Sequence, residues 1–160
     1  MRILISDTGT YPLKVRKDDY CIYDRGNLHM CTGCKGCWTR TPGCCGIRDS
    51  LQHMGAMLEL SEELVIVSRC WYGSVSPFVA LVLERTMPYL CGLVNPITGE
   101  HKIRSKHDFK ITVYFYGEDM SDQQKKHASE FIENYAKTMQ ATVKNIAFYK
   151  DILEMGETYE

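Results

Sequence analysis

Five short apolar runs with longer amphipathic stretches between most of them constrain this chain more than any other feature. They are Arg2–Ser6 (RILIS), Tyr20–Asp24 (YCIYD), Leu64–Arg69 (LVIVSR), Lys110–Tyr116 (KITVYFY) and Val143–Tyr149 (VKNIAFY). Continuous runs rich in β-branched residues suit strands covered on both faces, as in a parallel sheet. Helical spacing appears in Asp49–Leu60, with Leu51, Met54, Met57 and Leu58 in step. It recurs from Ser76–Pro77, a cap followed by a first-turn proline, through Val79, Leu83 and Met87. Ser121–Ala141 is the longest such stretch, with Phe131, Tyr135 and Met139 as its stripe, and Ile152–Tyr159 leaves its state open. Strands alternating with helices predict an α/β, three-layer doubly wound sheet of five parallel strands in the order 2-1-3-4-5. One stretch departs from that scheme. Between the first two strands lies DTGTYPLKVRKD, with Pro12 and no helical stripe. The first helix is therefore expected to be short or missing, at the place where such sheets often receive a phosphate.

No repeat or linker divides the 160 residues, so 1–160 reads as a single domain. Nineteen Lys and Arg against twenty Asp and Glu leave a net charge of -1, which argues against nucleic acid and anionic membranes as partners. The apolar run in MRILISDTG is too short for a signal peptide or a membrane span, so a cytoplasmic location is expected. In that reducing compartment eight cysteines point to metal binding, redox chemistry or plain burial rather than disulfides. Cys21 and Cys91 sit in apolar surroundings and read as packing residues.

The densest chemistry lies in CTGCKGCWTRTPGCC: Cys31-x2-Cys34-x2-Cys37, then Cys44 or Cys45. Soft thiolates this closely spaced can surround an iron–sulfur cluster, and Gly33, Gly36 and Gly43 permit the turns that converge them. Zinc can use the same sulfurs, although structural zinc sites more often use two separated pairs. A metal-free loop packed beneath Trp38 is the third reading.

A second constellation is the turn after the third strand, Arg69-Cys70-Trp71-Tyr72-Gly73-Ser74-Val75-Ser76. Ligands of open α/β sheets bind beyond the carboxyl ends of the strands. An aromatic pair followed by Gly-Ser there offers a flat surface, backbone N–H groups and a hydroxyl, which suits a flavin ring. Thr8-Gly9-Thr10 after the first strand can cradle a phosphate, and Tyr116-Gly117 after the fourth can line the same crevice, with Glu118 beside it. The five histidines, His29, His53, His101, His107 and His127, show no metal spacing and no Ser or Cys partner motif. Glu84 and Arg85 read as an ion pair within a helix or between subunits.

CTGCKGCW, TPG with a further Cys before Ile47-Arg48-Asp49, and SRCWYGSVSPFVALVLERTMPY together resemble flavodoxin-family proteins related to NAD(P)H-dependent FMN reductases and iron–sulfur flavoproteins. NPITGEHKIR and YGEDMSDQQKK are similar to that group too, so the resemblance runs from about Cys31 to about Ala141. It implies a flavodoxin-like fold and FMN contacted by the Trp71–Ser74 turn. NAD(P)H would be the donor, with a small-molecule or protein electron acceptor, in a homodimer or homotetramer. It also implies that Cys31, Cys34, Cys37 and Cys45 hold a 4Fe–4S cluster, with Cys44 the extra cysteine. Relatives usually carry a Gly-Ser-Pro-Arg type loop and a full helix after the first strand, and Asp7 here would oppose a phosphate unless Arg16 or Lys14 compensates. The functional expectation is an FMN-dependent oxidoreductase or electron-transfer flavoprotein. The alternative is a flavodoxin-like binding or assembly domain that has lost its cofactor.

Overall fold

A computed structural model of the chain describes residues 1–9, 14–91, 95, 97, 98, 100 and 108–157. The elements run β1 (Arg2–Ser6), β2 (Tyr20–Tyr23), α1 (Gly36–Thr39), α2 (Met54–Glu59), β3 (Glu63–Arg69), α3 (Pro77–Glu84), α4 (Met87–Leu90), β4 (Lys110–Tyr116), α5 (Asp122–Thr138), β5 (Thr142–Tyr149) and α6 (Ile152–Glu157). The strands form one parallel sheet in the order β2-β1-β3-β4-β5. The predicted strands are all present, with ends that differ by one residue at most.

Successive residues of a strand point to opposite faces, so each central strand feeds two cores. Ile3, Ile5, Leu64, Ile66, Ile111, Val113 and Phe115 pack on one face with side chains of α2, α3, α4 and α5. Leu4, Val65, Val67 and Tyr114 point to the other, where Met155 of α6 joins them. That second layer is thin among the described residues. Among the described residues of the β1–β2 connection there is no helix, as the sequence predicts.

The helix ends depart from the sequence reading, each for a local reason. Residues 49–53 form turns instead of the start of α2, because the Asp49 carboxylate accepts the N–H groups of Leu51 (3.0 Å) and His29 (3.1 Å). The helix begun at Ser76 stops at Glu84 instead of running through Met87. Pro88 has no N–H to give, and its ring would crowd the carbonyl of Glu84. α5 opens on a capping box in which Ser121 Oγ accepts the Gln124 N–H (3.2 Å) and Gln124 Oε1 accepts the Ser121 N–H (2.9 Å). It closes with Gln140 in the left-handed region (φ 52). The N–H of Gln140 reaches Lys137 O (3.1 Å) and that of Ala141 reaches Ala136 O (2.8 Å), a Schellman motif without the usual glycine.

Candidate functional site

Asp7, at the carboxyl end of β1, clasps three strands. Its own N–H reaches Val67 O (3.4 Å), and its carboxylate accepts the Arg69 N–H (2.8 Å) and the Tyr116 hydroxyl (3.0 Å). Burial pushes the Tyr116 phenol well above its ordinary range, and the Asp7 charge pushes the same way. Thr8 shares a hydrogen bond of 2.7 Å with Ser6 Oγ, which also accepts the Thr8 N–H (3.2 Å). Gly9 stands open to solvent, and Thr10 lies outside the described residues. The β1 turn thus presents a carboxylate and a hydroxyl already engaged by the chain.

After β3 the chain makes a tight hairpin. The N–H of Trp71 reaches Ser74 O (2.9 Å) and the N–H of Ser74 reaches Trp71 O (3.0 Å). Tyr72 and Gly73 at its tip both have positive φ (51 and 83), the backbone of a type I′ turn. The Gly73 N–H turns toward the Cys70 thiol, whose pKa burial nonetheless raises. The expected row of free N–H groups is therefore largely used within the turn, whereas the aromatic surface is present. Trp71 is 44% exposed and Tyr72 83%, their rings meet edge to face at 5.7 Å, and the Arg69 guanidinium lies 5.9 Å over the Trp71 ring.

Beside this hairpin a mainly polar cleft of about 440 Å³ opens at the carboxyl ends of β3, β4 and β5. Cys70, Tyr116 and Gly117 line it, as do Arg69, Glu118, Asp119, Gln124, Lys150 and Asp151. Arg69 opens the turn singled out in the sequence, whereas Lys150 escaped that reading, and the signal that finds it is position, directly after β5. Of the residues expected to bind a flavin, Thr8, Gly9, Trp71, Tyr72, Gly73 and Ser74 do not line this cleft; the exposed aromatics stand beside it, a flat surface next to a wall of mixed charge. Among the described residues the β1 turn would meet a phosphate with the Asp7 carboxylate and with a Thr8 hydroxyl already bonded to Ser6, and the cations that line the cleft are Arg69 and Lys150.

The cysteine loop forms a separate site. Cys31 and Cys34 each accept a backbone N–H two residues on, from Gly33 and Gly36 (3.5 Å each). α1 carries Cys37 and Trp38, and Trp38 Nε1–H donates to Met87 O (3.1 Å), anchoring the loop to α4. The Cys45 N–H is held by Gln52 O (2.9 Å). Burial pushes the Cys37 thiol up, and Cys45, Cys31 and Cys34 are close enough to push it the same way, so the four sulfurs share one neighbourhood. The N–H of Gly36 and the Thr32 hydroxyl hold the exposed Cys34 thiol below its ordinary value. Among the described residues no three Cys, His, Asp or Glu side chains are drawn together at metal-holding distances. The donor set nonetheless fits a thiophilic metal in kind: four soft sulfurs on a loop of short turns. Cys44 stands apart, with its Sγ 3.6 Å from Nδ1 of His53. His53 thus has a cysteine partner, contrary to the expectation from sequence, while His101 and His107 lie outside the described residues. Arg85 also departs from expectation: its carboxylate partner is Asp49, next to the cysteine loop, and not a neighbour on its own helix.

No protein-family model matches the chain, and no curated protein does. Solved structures do. The Trp repressor binding protein from Bacillus subtilis superposes with a TM-score of 0.57 at 12% identity, over 98% of this chain and 94% of that one. An azoreductase from Bacillus anthracis str. Sterne gives 0.54 at 7% identity, and the azoreductase AzrA 0.53 at 8%, each over 98% of this chain and 91% of the other. The fold is flavodoxin-like. At these identities the likeness is one of fold, and it accords with a cleft at the carboxyl ends of the strands. No helix among the described residues is long and apolar enough to cross a membrane.

Proposed function

We propose that this protein is an FMN-dependent oxidoreductase that takes hydride from NAD(P)H and passes electrons on through a 4Fe–4S cluster held by Cys31, Cys34, Cys37 and Cys45. The observation that carries the reading is the exposed Trp71–Tyr72 pair beside a polar cleft at the ends of β3, β4 and β5. Two large aromatics exposed at that position are poor core residues and a good platform for a planar ring. The two solved azoreductases named above share the fold, which accords with the reading.

Bound FMN supplies acceptance of a hydride and release of single electrons. The chain's own part is placement. Trp71 and Tyr72 would cover the ring, and the Cys70 and Gly117 backbone would face its polar edge. Tyr116, held by Asp7 with its proton retained, stands as a hydroxyl in the wall of the cleft. Arg69 and Lys150 would offset the phosphate charge. At the other end of α3, the cysteine loop would relay single electrons to a small-molecule or protein acceptor. A homodimer or homotetramer, in the cytoplasm, completes the reading.

The test is anaerobic purification followed by an absorption spectrum, an iron assay and titration with FMN. Two flavin bands with a broad shoulder that bleaches on reduction are expected. Colourless protein that does not quench FMN fluorescence would sink it. One observation favours a second reading, a flavodoxin-like binding domain without cofactor: Asp7 closes the switch point with a carboxylate engaged on both oxygens. Failure to bind FMN in the wild type and in Asp7→Asn alike is the outcome that selects it.

A further inference from the structure

We propose that Cys44 is a nucleophilic thiol that exchanges with low-molecular-weight disulfides, with His53 taking and returning the proton. The reaction needs neither flavin nor metal. Cys44 lies in the loop after α1, and His53 is the residue before α2. The Sγ of Cys44 lies 3.6 Å from Nδ1 of His53, a hydrogen-bond distance for the larger sulfur atom. It also lies 3.7 Å from the carbonyl oxygen of Cys45. Of these two neighbours only the imidazole can take a proton and give it back. His53 is not held by its helix: at the N-cap of α2 its side chain makes no capping hydrogen bond. It is exposed, and Cys44 is half-buried.

Both side chains line a cleft of about 470 Å³ that also touches α2 and α4, away from the cleft at the strand ends. A nucleophile, a base within reach of it and room for the reactant are thus together. The wall beside Cys44 decides the class of reactant. The N–H groups of Gly43 and Cys44 are bonded to Cys37 O and Thr41 O (2.9 Å each). Those of Tyr89 and Cys91 are bonded to Thr86 O (2.9 Å) and Pro88 O (3.3 Å), and Pro42 and Pro88 have none. On that wall no backbone donor waits for the oxygen charge that acyl transfer builds. Disulfide exchange keeps its charge on sulfur and needs no such donor. The Cys44 Sγ attacks one sulfur of the disulfide, and the new S–S bond forms as the old one breaks. The thiol proton passes to His53 and then to the departing sulfur, which leaves as a thiol. Cys44 ends as a mixed disulfide, and a small thiol reverses the step. Cys91 lines the same cleft with no imidazole hydrogen-bonded to it among the described residues.

The test treats the whole chain with 2-hydroxyethyl disulfide, a small neutral probe, after anaerobic reduction and removal of the reductant. Tandem mass spectrometry then follows the adduct at each cysteine and separates Cys44 from Cys45. Cys44 is expected to react at least about tenfold faster than Cys91, and His53→Asn to slow Cys44 by about tenfold or more while leaving Cys91 unchanged. Asparagine places an amide near the position of Nδ1 and is a favoured N-cap, but it cannot take the thiol proton. Cys44 reacting no faster than Cys91, or as fast in His53→Asn as in the wild type, overturns the proposal. An adduct that forms at Cys45 in place of Cys44 overturns it too. Should His53→Asn fail to fold, the ratio of Cys44 to Cys91 in the wild type decides alone.

Discussion

The Cβ that Gly55 lacks would stand 2.7 Å from the carbonyl oxygen of Gly43 and 3.0 Å from the carbonyl carbon of Pro88. Both neighbours are backbone, one in the cysteine loop and one in α4, so neither can swing aside. α2 is therefore wedged between the two at a single residue. Gly55→Ala is expected to destabilise the fold by about 1–3 kcal/mol despite the better helix propensity of alanine, read as a lower urea midpoint. A midpoint equal to or above that of the wild type would refute the wedge.

Asp49 gives the same loop a pH-dependent tie. Desolvation pulls its carboxyl upward, but the Arg85 hydrogen bonds and the N–H groups of His29 and Leu51 outweigh it and hold the pKa below the ordinary carboxylate range. A depressed folded-state pKa contributes stability above the unfolded value and loses it as pH falls through the folded one. The wild type is thus expected to lose stability steeply below about pH 4, and Asp49→Asn to show a flatter acid limb. At pH 7 the substitution removes one partner of a buried pair, for a loss of about 3 kcal/mol or more. Parallel acid limbs in thermal melts would remove the claim.

Tyr72 occupies a position in its turn that favours asparagine. Its φ of 51 is strained for an aromatic residue, and Asn-Gly is the preferred pair for a type I′ hairpin. Tyr72→Asn is expected to leave the melting temperature unchanged or slightly raised while weakening FMN binding about tenfold or more through the lost ring. A fall in both would mean that Tyr72 serves the fold and not a ligand.

Ser121 caps the longest helix, and Ser121→Ala is expected to cost about 1 kcal/mol by chemical denaturation. Ser121→Asp, which keeps the acceptor and adds favourable charge at the helix start, should recover it.

The strands were legible because a buried parallel strand leaves an uninterrupted apolar run, as in KITVYFY, which matches β4 residue for residue. Helix ends were harder to read. α5 ends on Gln140 in a conformation that sequence patterns assign to glycine, and α3 ends because of a proline four residues beyond it. In the candidate site, Cys70, Tyr116 and Gly117 could be found because they follow strands directly. The Asp49–Arg85 clamp and the Cys44–His53 contact join residues whose spacing obeys no local period, so only the folded chain reveals them. The hairpin N–H groups were expected to be free because the sequence does not show how a type I′ turn uses its own donors.

The unequal covering of the sheet has a consequence for how the molecule breathes. Among the described residues one face is sealed by side chains from four helices, the other by a small group around Met155 of α6. An opening that lifts α6 alone wets Leu4, Val65, Val67 and Tyr114 and leaves the larger core intact. Amide hydrogens of α6 should therefore exchange through a low-energy local fluctuation. Those of β3, bonded to a neighbouring strand on either side, should wait for the whole domain to unfold.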